Sequence, residues 1–394
     1  MSLTEQSRSK MNRDGMDEKS IESILTDLKS KDTPYERVLS SMCTYPHPVA
    51  VMAHAQFIEA NLGDPGLFAG TAEIEREVVR MLGTMYGTSD AHGHITTGGT
   101  ESNIQAIHAI RNARNLREPN IIVPESAHFS FDKVADVLKV TVQKAELDSD
   151  LKVDLSSVED LINDNTIGIV GIAGTTEFGQ IDPIRALSDL ALSENVFLHV
   201  DAAFGGFVIP FLPDRNKHGR GREYEFDFTL PGVTSLASDP HKMGFSTIPT
   251  GGLLFRNSSY LNRLSVDTPY LTVASQQTLT GTRSGASAAA AYAVFKHLGR
   301  DGYAQIVHRC MDVTHELVAR VRKFGIEPLI DPVMNVVALD VPDCKQVRSE
   351  LAKRGWIVSI TRKPCALRIV IMPHLTSENM RLFTDDLCDV MRTG

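Results

Sequence analysis

Four short stretches of this sequence hold residue types that suit chemistry at one shared site: "TTGGTESN" (96–103), "AHFS" (127–130), "HVDAAFGG" (199–206) and "SDPHKMG" (238–244). Lys242 is the sharpest feature. It follows the apolar run "GVTSLASDP", where a lysine that stays charged away from water is costly. A desolvated lysine has a lowered pKa and can form an imine with a carbonyl; the alternative is a side chain that snorkels to solvent. Asp201 ends another apolar run and needs a cationic or N–H partner. It could cap a turn, bind a metal or hold a protonated ring nitrogen, and the small Ala202 and Ala203 after it leave room for a flat ring. His128 is either a satisfied structural imidazole or a ring stacked on a flat ligand. Gly98, Gly99 and Thr100 stand before a helix, where free N–H groups and the helix dipole make an anion site, or where Thr100 simply caps a turn. The stretch lacks the lysine of a P-loop and the spacing of a dinucleotide fingerprint, which disfavours ATP and NAD. A phosphate cradle, a carboxylate for a ring nitrogen, a stacking histidine and an imine-forming lysine together suit pyridoxal phosphate.

The elements that must position these residues alternate. "GHITTGG", "IIVPES", "TIGIVGIAGTT", "VFLHVDAAFGG", "SLASDP" and "GGLLFR" read as strands, the central ones as continuous apolar runs buried on both faces. "ESNIQAIHAIRNAR", "FDKVADVL" and "PIRALSDLALSEN" read as helices between them. This alternation predicts an α/β fold with a mainly parallel sheet flanked by helices. All four stretches then lie at strand carboxyl ends, where open parallel sheets bind ligands. Beyond Gly285 the Ala-rich helix "ASAAAAYAVFKHLG", the longer "YAQIVHRCMDVTHELVARVRKFG", the strands "NVVALDV", "WIVSI" and "ALRIVIM", and a last helix from about Ser377 predict a smaller α+β unit. The expected division is an N-terminal segment and helix over 1–50, a large domain over 51–285 and a small domain over 286–394. Ile21, Ile24, Leu25 and Leu28 recur at helical spacing near the start. Residues 1 to about 15 read as disordered or added, with Met11 as an alternative natural start.

The chain has 394 residues, 42% of them apolar and 23% charged, with a formal charge of −9. That is ordinary for a globular protein. There is no basic run with interleaved aromatics, which disfavours nucleic acid, and no apolar stretch of bilayer length or signal-peptide character. The five cysteines (Cys43, Cys310, Cys344, Cys365, Cys388) are scattered and include no Cys-x-x-Cys pair. This argues against a disulfide framework and a zinc site and fits a reducing cytoplasm.

The order "GGTES", "AHFS", "HVDAAFGG", "DPHKMG" resembles the group II pyridoxal-phosphate decarboxylases, which include glutamate and aromatic amino acid decarboxylases. "SSMCTYPHPVA", "EANLGDPGLFAGT", "GIAGTTEFGQID", "HVDAAFGGFVIPFL" and "LRIVIMPH" are most similar to the archaeal L-tyrosine/L-aspartate decarboxylases. The resemblance covers nearly the whole chain after about Met11. It implies fold type I, with a seven-stranded large-domain sheet and a small C-terminal domain, and a homodimer with shared active sites. It implies Lys242 as the Schiff-base lysine, His241 as a phosphate or cofactor contact, Asp201 as the partner of the pyridine nitrogen, and His128 and Ala203 on the two ring faces. Gly99 and Thr100 would hold the phosphate, Thr175 would sit near the ring substituents, and Thr282 would reach the phosphate across the dimer. Arg368, in a strand of apolar neighbours, would bind a substrate carboxylate; an ion pair with a nearby Asp or Glu is the alternative. Implied products are tyramine for methanofuran assembly and β-alanine for coenzyme A, with L-glutamate as an alternative substrate. One departure stands out. Aromatic decarboxylases carry a catalytic tyrosine on a long loop, whereas "DTPYLTVASQQTLTG" is short, which leaves Tyr270 and the proton donor to the product open. Rival readings are a cysteine desulfurase using Cys365, an aldehyde-forming lyase, or a cofactor-binding regulatory homologue.

Overall fold

The computed structural model describes residue 11, residues 14–213 and residues 224–393. Most of the first fifteen residues, on which disorder is expected from sequence, lie outside the described residues. Seven strands form one sheet: β1 (His92–Thr96), β2 (Asn120–Pro124), β3 (Thr141–Ala145), β4 (Thr166–Ile172), β5 (Phe197–Asp201), β6 (Val233–Ser238) and β7 (Gly251–Phe255), in the order β1-β7-β6-β5-β4-β2-β3. Only β7 runs against its neighbours; β6, β5, β4, β2 and β3 pair in parallel. The α/β expectation therefore holds. Every residue of β2, β4, β6 and β7 is buried, as expected of strands covered on both faces. β3, a polar edge strand, carried no apolar pattern from which to read it.

A two-stranded hairpin, β8 (Val266–Asp267) and β9 (Ser275–Gln276), follows the sheet. The chain then runs through a helical stretch, Gly285–Arg322, whose backbone leaves helical geometry at Gly299 (φ 57°). Glycine is the residue that takes this conformation at least cost, and it divides the two helices read from sequence. The second sheet is antiparallel: β10 (Val336–Leu339), β11 (Ser359–Ile360) and β12 (Leu367–Val370), in the order β10-β12-β11. The N-terminal segment joins it: Val38 bridges Ile357 in parallel, and Val370 N donates to Leu39 O. Leu39 is accordingly buried with Trp356, Leu367 and Phe383 in this sheet's core.

One cysteine expectation is corrected. Cys344 and Cys365 form a disulfide, with Cα atoms 6.3 Å apart. They stand 21 positions apart in sequence, so nothing in their spacing marks the pair; the fold brings the start of the helix Cys344–Lys353 beside the turn before β12.

Candidate active site

The carboxyl ends of the parallel strands open onto a cavity of about 290 Å³. Its walls include Gly98, Gly99, Thr100, His128, Asp201, Ala203, His241 and Lys242. The four stretches far apart in sequence thus meet at one place.

Gly98 and Gly99 bring β1 into the sixteen-residue helix Gly99–Arg114. The first N–H groups of a helix have no intrahelical acceptor and attract anions. Both glycines sit in tight surroundings, and Gly98 has a backbone conformation that favours glycine. A Cβ on Gly98, at φ 145°, would lie 3.0 Å from His241 Cε1, and one on Gly99 would lie 3.0 Å from Ala203 Cβ.

Asp201 is 6% exposed. Its Oδ1 accepts from Ala203 N at 3.0 Å and its Oδ2 from Asn103 Nδ2 at 2.9 Å. Behind Asn103 stands buried His199, whose Nε2 lies 3.0 Å from Asn103 Oδ1 and whose Nδ1 lies 2.8 Å from Ser235 Oγ. Since Asn103 spends its amide protons on Asp201 and Ser130, its Oδ1 must accept from His199 Nε2–H. His199 Nδ1 then accepts from Ser235. Burial pushes the His199 pKa down to about 4, so the ring is neutral. Sequence reading missed Asn103 and His199, although both lie within the quoted motifs, at the end of "TTGGTESN" and the start of "HVDAAFGG".

His128 Nδ1 accepts from Ser130 N at 3.2 Å, and burial lowers its pKa. His241 Nδ1 accepts from Thr250 N at 3.0 Å; burial lowers its pKa as well. As a neutral ring it therefore carries its proton on Nε2.

Lys242 departs from expectation. Its Nζ lies 3.1 Å from Asp239 Oδ2. Burial acts to lower its pKa, but the charges of Asp239 and Asp201 outweigh burial and leave it above the ordinary lysine value. The amine is thus an ammonium held by carboxylates, and not the neutral group that desolvation alone would give.

Three other residues lie differently. Thr175 is fully buried, and its Oγ1 accepts from Gln180 N; its neighbour Thr176 lines the cavity instead. Thr282 is exposed and lines a separate cavity of about 90 Å³ that shares Thr97 and Glu101 with the first. Arg368 is 6% exposed and donates to Thr176 O at 2.5 Å, Ser40 O at 2.9 Å and Ser359 Oγ at 3.0 Å. No carboxylate pairs with it among the described residues; the nearby Glu177 is taken by Arg362. Burial pushes the Arg368 pKa down to about 10, and it remains a cation at neutral pH, one bond away from the cavity wall at Thr176.

This donor set fits pyridoxal phosphate: an amine for its aldehyde, a fixed carboxylate for its ring nitrogen, and open helix N–H groups for its phosphate. Among the described residues no cluster suits a metal ion.

Comparison with known proteins agrees. Residues 68–339 match the family model described as the pyridoxal-dependent decarboxylase conserved domain. A protein of Methanothrix thermoacetophila named probable L-tyrosine/L-aspartate decarboxylase is 59% identical, with 96% of each chain covered. One of Methanosarcina acetivorans with the same name is 57% identical over 96% of this chain and 99% of its own. A probable L-aspartate decarboxylase of Archaeoglobus fulgidus is 52% identical, over 92% and 97%. Among solved structures, a sphingosine-1-phosphate lyase of Burkholderia pseudomallei superposes with a TM-score of 0.88 at 27% identity, covering 99% of this chain and 95% of its own. A glutamate decarboxylase of Lactobacillus brevis, at 24% identity, shares the fold with a TM-score of 0.86 over 97% and 94%. With the cavity, its donors and nearly full-length relatives in agreement, this chain belongs to the pyridoxal-dependent decarboxylases and is a carboxy-lyase that uses pyridoxal phosphate.

Proposed function

We propose that the enzyme removes the α-carboxylate of L-tyrosine, giving tyramine, of L-aspartate, giving β-alanine, or of both. The observation that carries this reading is the pair of relatives at 59% and 57% identity, each aligned over 96% of this chain and named for these two substrates. Tyramine would feed methanofuran assembly and β-alanine coenzyme A assembly, in the cytoplasm.

Pyridoxal phosphate supplies an electron sink for the pair left when carbon dioxide departs. The chain's residues then have distinct tasks. Lys242 attaches the cofactor. Asp201, an anion fixed by two N–H donors, keeps a ring nitrogen protonated through its opposite charge. His128 and Ala203 wall the ring. The N–H groups of Gly99 and Thr100 and the Nε2–H of His241 hold the phosphate. Thr282, outside the cavity of its own chain, serves the neighbouring subunit in a homodimer with shared sites. Thr175 supports the turn that presents Thr176. Arg368, buried with no carboxylate partner among the described residues, binds a carboxylate of the substrate. The division into a segment over 1–50, a large domain over 51–285 and a small one over 286–394 would let the small unit bring Arg368 to the sheet's edge.

Carbon dioxide release from L-tyrosine, L-aspartate and L-glutamate tests the substrate reading; glutamate turnover exceeding both others would overturn it. Borohydride should fix the cofactor onto the peptide that holds Lys242. Arg368→Met should raise KM at least tenfold for every substrate if Arg368 grips the shared α-carboxylate, and only for aspartate or glutamate if it grips the side chain. An unchanged KM throughout removes Arg368 from the site.

A further inference from the structure

The turn between β11 and β12, residues 361–366, reaches from the small sheet to the backbone behind two walls of the cavity. Arg362 makes the contact. Its backbone N donates to Glu177 Oε2 at 2.7 Å and its Nε to Glu177 Oε1 at 2.5 Å, so one residue takes both oxygens of the carboxylate. Its Nη2 donates to Ala127 O at 3.4 Å. Glu177 follows Thr176 and Ala127 precedes His128, and both Thr176 and His128 line the cavity. Arg362, Glu177 and Ala127 do not.

The turn is stiff. Thr361 Oγ1 donates to Pro364 O at 2.5 Å and accepts from Ala366 N at 2.8 Å, Thr361 N donates to Ala366 O at 3.0 Å, and Cys365 is tied to Cys344. The loop it grips, residues 173–180 after β4, belongs to the large sheet by chain and to the small sheet by contact. Phe178 is buried with Ala338 and Ala366. A Cβ on Gly179 would lie 2.7 Å from Val336 Cβ of β10, so the loop lies flat on the small sheet. Arg368 Nε holds Thr176 O from the same side.

Stability is not the main gain from the Arg362–Glu177 pair. The Arg362 side chain is 57% exposed, and an ion pair open to water adds little to folding. A carboxylate gripped at both oxygens gains direction instead. The Arg362 fork is spent on Glu177 and Ala127, so it is not a cation for the substrate.

We propose that Arg362 is a positioning residue: through Glu177 and Ala127 it sets the spacing of the Thr176 and His128 walls, and with it the width of the slot that must hold the flat cofactor ring and the substrate joined to it. A wider slot no longer fixes the departing carboxylate against the plane of the ring, and misalignment of reacting groups is costly in rate. The inference rests on the reading that His128 walls the ring.

Visible circular dichroism of the cofactor-loaded enzyme reads the slot without turnover, because a flat ring shows strong dichroism only while its surroundings hold it asymmetrically. Arg362→Met should keep its Tm and its bound cofactor but lose most of this dichroism. Its kcat should fall about tenfold with KM changed less than about twofold, a part of the roughly hundredfold cost of a 1 Å misplacement. Glu177→Gln should act in the same direction. The double variant Arg362→Met/Glu177→Gln should be no worse than the poorer single one, since two residues acting through one contact are not additive. A lowered Tm with dichroism and kcat unchanged would make the pair purely structural and overturn the proposal, as would additive losses in the double variant. His128→Ala separates the underlying reading. If dichroism survives there, His128 does not wall the ring and both ideas fall; if it is lost there and kept in Arg362→Met, the clamp alone falls.

Discussion

Asp201 and Asp239 close two adjacent parallel strands, and both are nearly inaccessible to water (6% and 1% exposed). Their wiring is opposite. Asp201 is held by two neutral N–H donors, behind which Asn103, His199 and Ser235 form a directed chain. Asp239 has one oxygen on Lys242 Nζ and the other without a hydrogen-bond partner among the described residues. A carboxylate fixed by neutral donors keeps its charge through a reaction cycle. One balanced by a lysine proposed to form and break a covalent bond would see its counter-charge come and go. Two residues of the same type, at the same end of one sheet, are thus suited to a permanent charge and to a variable one.

The comparison breaks most directly at Asp201. Asp201→Asn should leave the fold intact and lower kcat/KM by about 3–4 kcal/mol in barrier terms, the size of effect seen when a preorganised electrostatic group is removed. Near-normal kcat/KM in that variant would deprive Asp201 of its permanent-charge role.

A second test reaches the base of the chain. His199 has its folded pKa depressed to about 4 by burial, against about 6.5 unfolded. Its contribution to stability is therefore present above pH 6.5 and lost as pH falls toward 4, amounting at most to about 3 kcal/mol. Two other buried groups overlap this window. His94, also pushed to about 4, acts in the same direction. Asp182, raised to about 7 by burial, acts in the opposite one, because its contribution is lost as pH rises from about 4 to 7. The difference between denaturation curves of the wild type and His199→Gln isolates the first: the wild type should lose stability more steeply between pH 6.5 and 4. Parallel curves would show that His199 is not held neutral.

The smallest expected effect is at the link between them. Asn103→Ala removes the donor to Asp201 Oδ2 and should cost about 1–2 kcal/mol of stability, seen as a lower Tm, together with weaker cofactor retention after dialysis. The matching change on the other side, Asp239→Asn, should instead speed cofactor attachment. If both variants shifted attachment in the same direction, the contrast between the two aspartates would fail.

Much of this was legible without coordinates. Strand–helix alternation and four motifs at strand carboxyl ends suffice to place Lys242, Asp201, His128 and the Gly98–Gly99 turn together, because a parallel sheet sends all its carboxyl ends to one edge. The facing of adjacent threonines was not legible. Thr176 lines the cavity, whereas its neighbour Thr175 is fully buried and accepts from Gln180 N. Asn103 and His199 lie within quoted motifs, but nothing in those motifs marks their pairing; they matter through a hydrogen bond between positions 96 apart in sequence.

The N-terminal helix shows the same limit. Its spacing predicts an amphipathic helix, and Glu18–Lys29 is one, capped by Asp17. Yet none of its residues is buried within the chain, and Ile21, Leu25 and Leu28 are 44%, 60% and 44% exposed. Periodicity determines that an apolar face exists, not what covers it.

By itself, the sequence determined the α/β class, the order of strands along the chain and the cofactor class, and it singled out Lys242 as the candidate to attach that cofactor, since these follow from local pattern and residue type. Only the tertiary structure decided the charge state of that lysine. Desolvation alone predicts a neutral amine, and the neighbouring carboxylates reverse the sign. Burial is a property that an apolar run announces; the distance between two charges is set by how the turn after β6 folds back on itself.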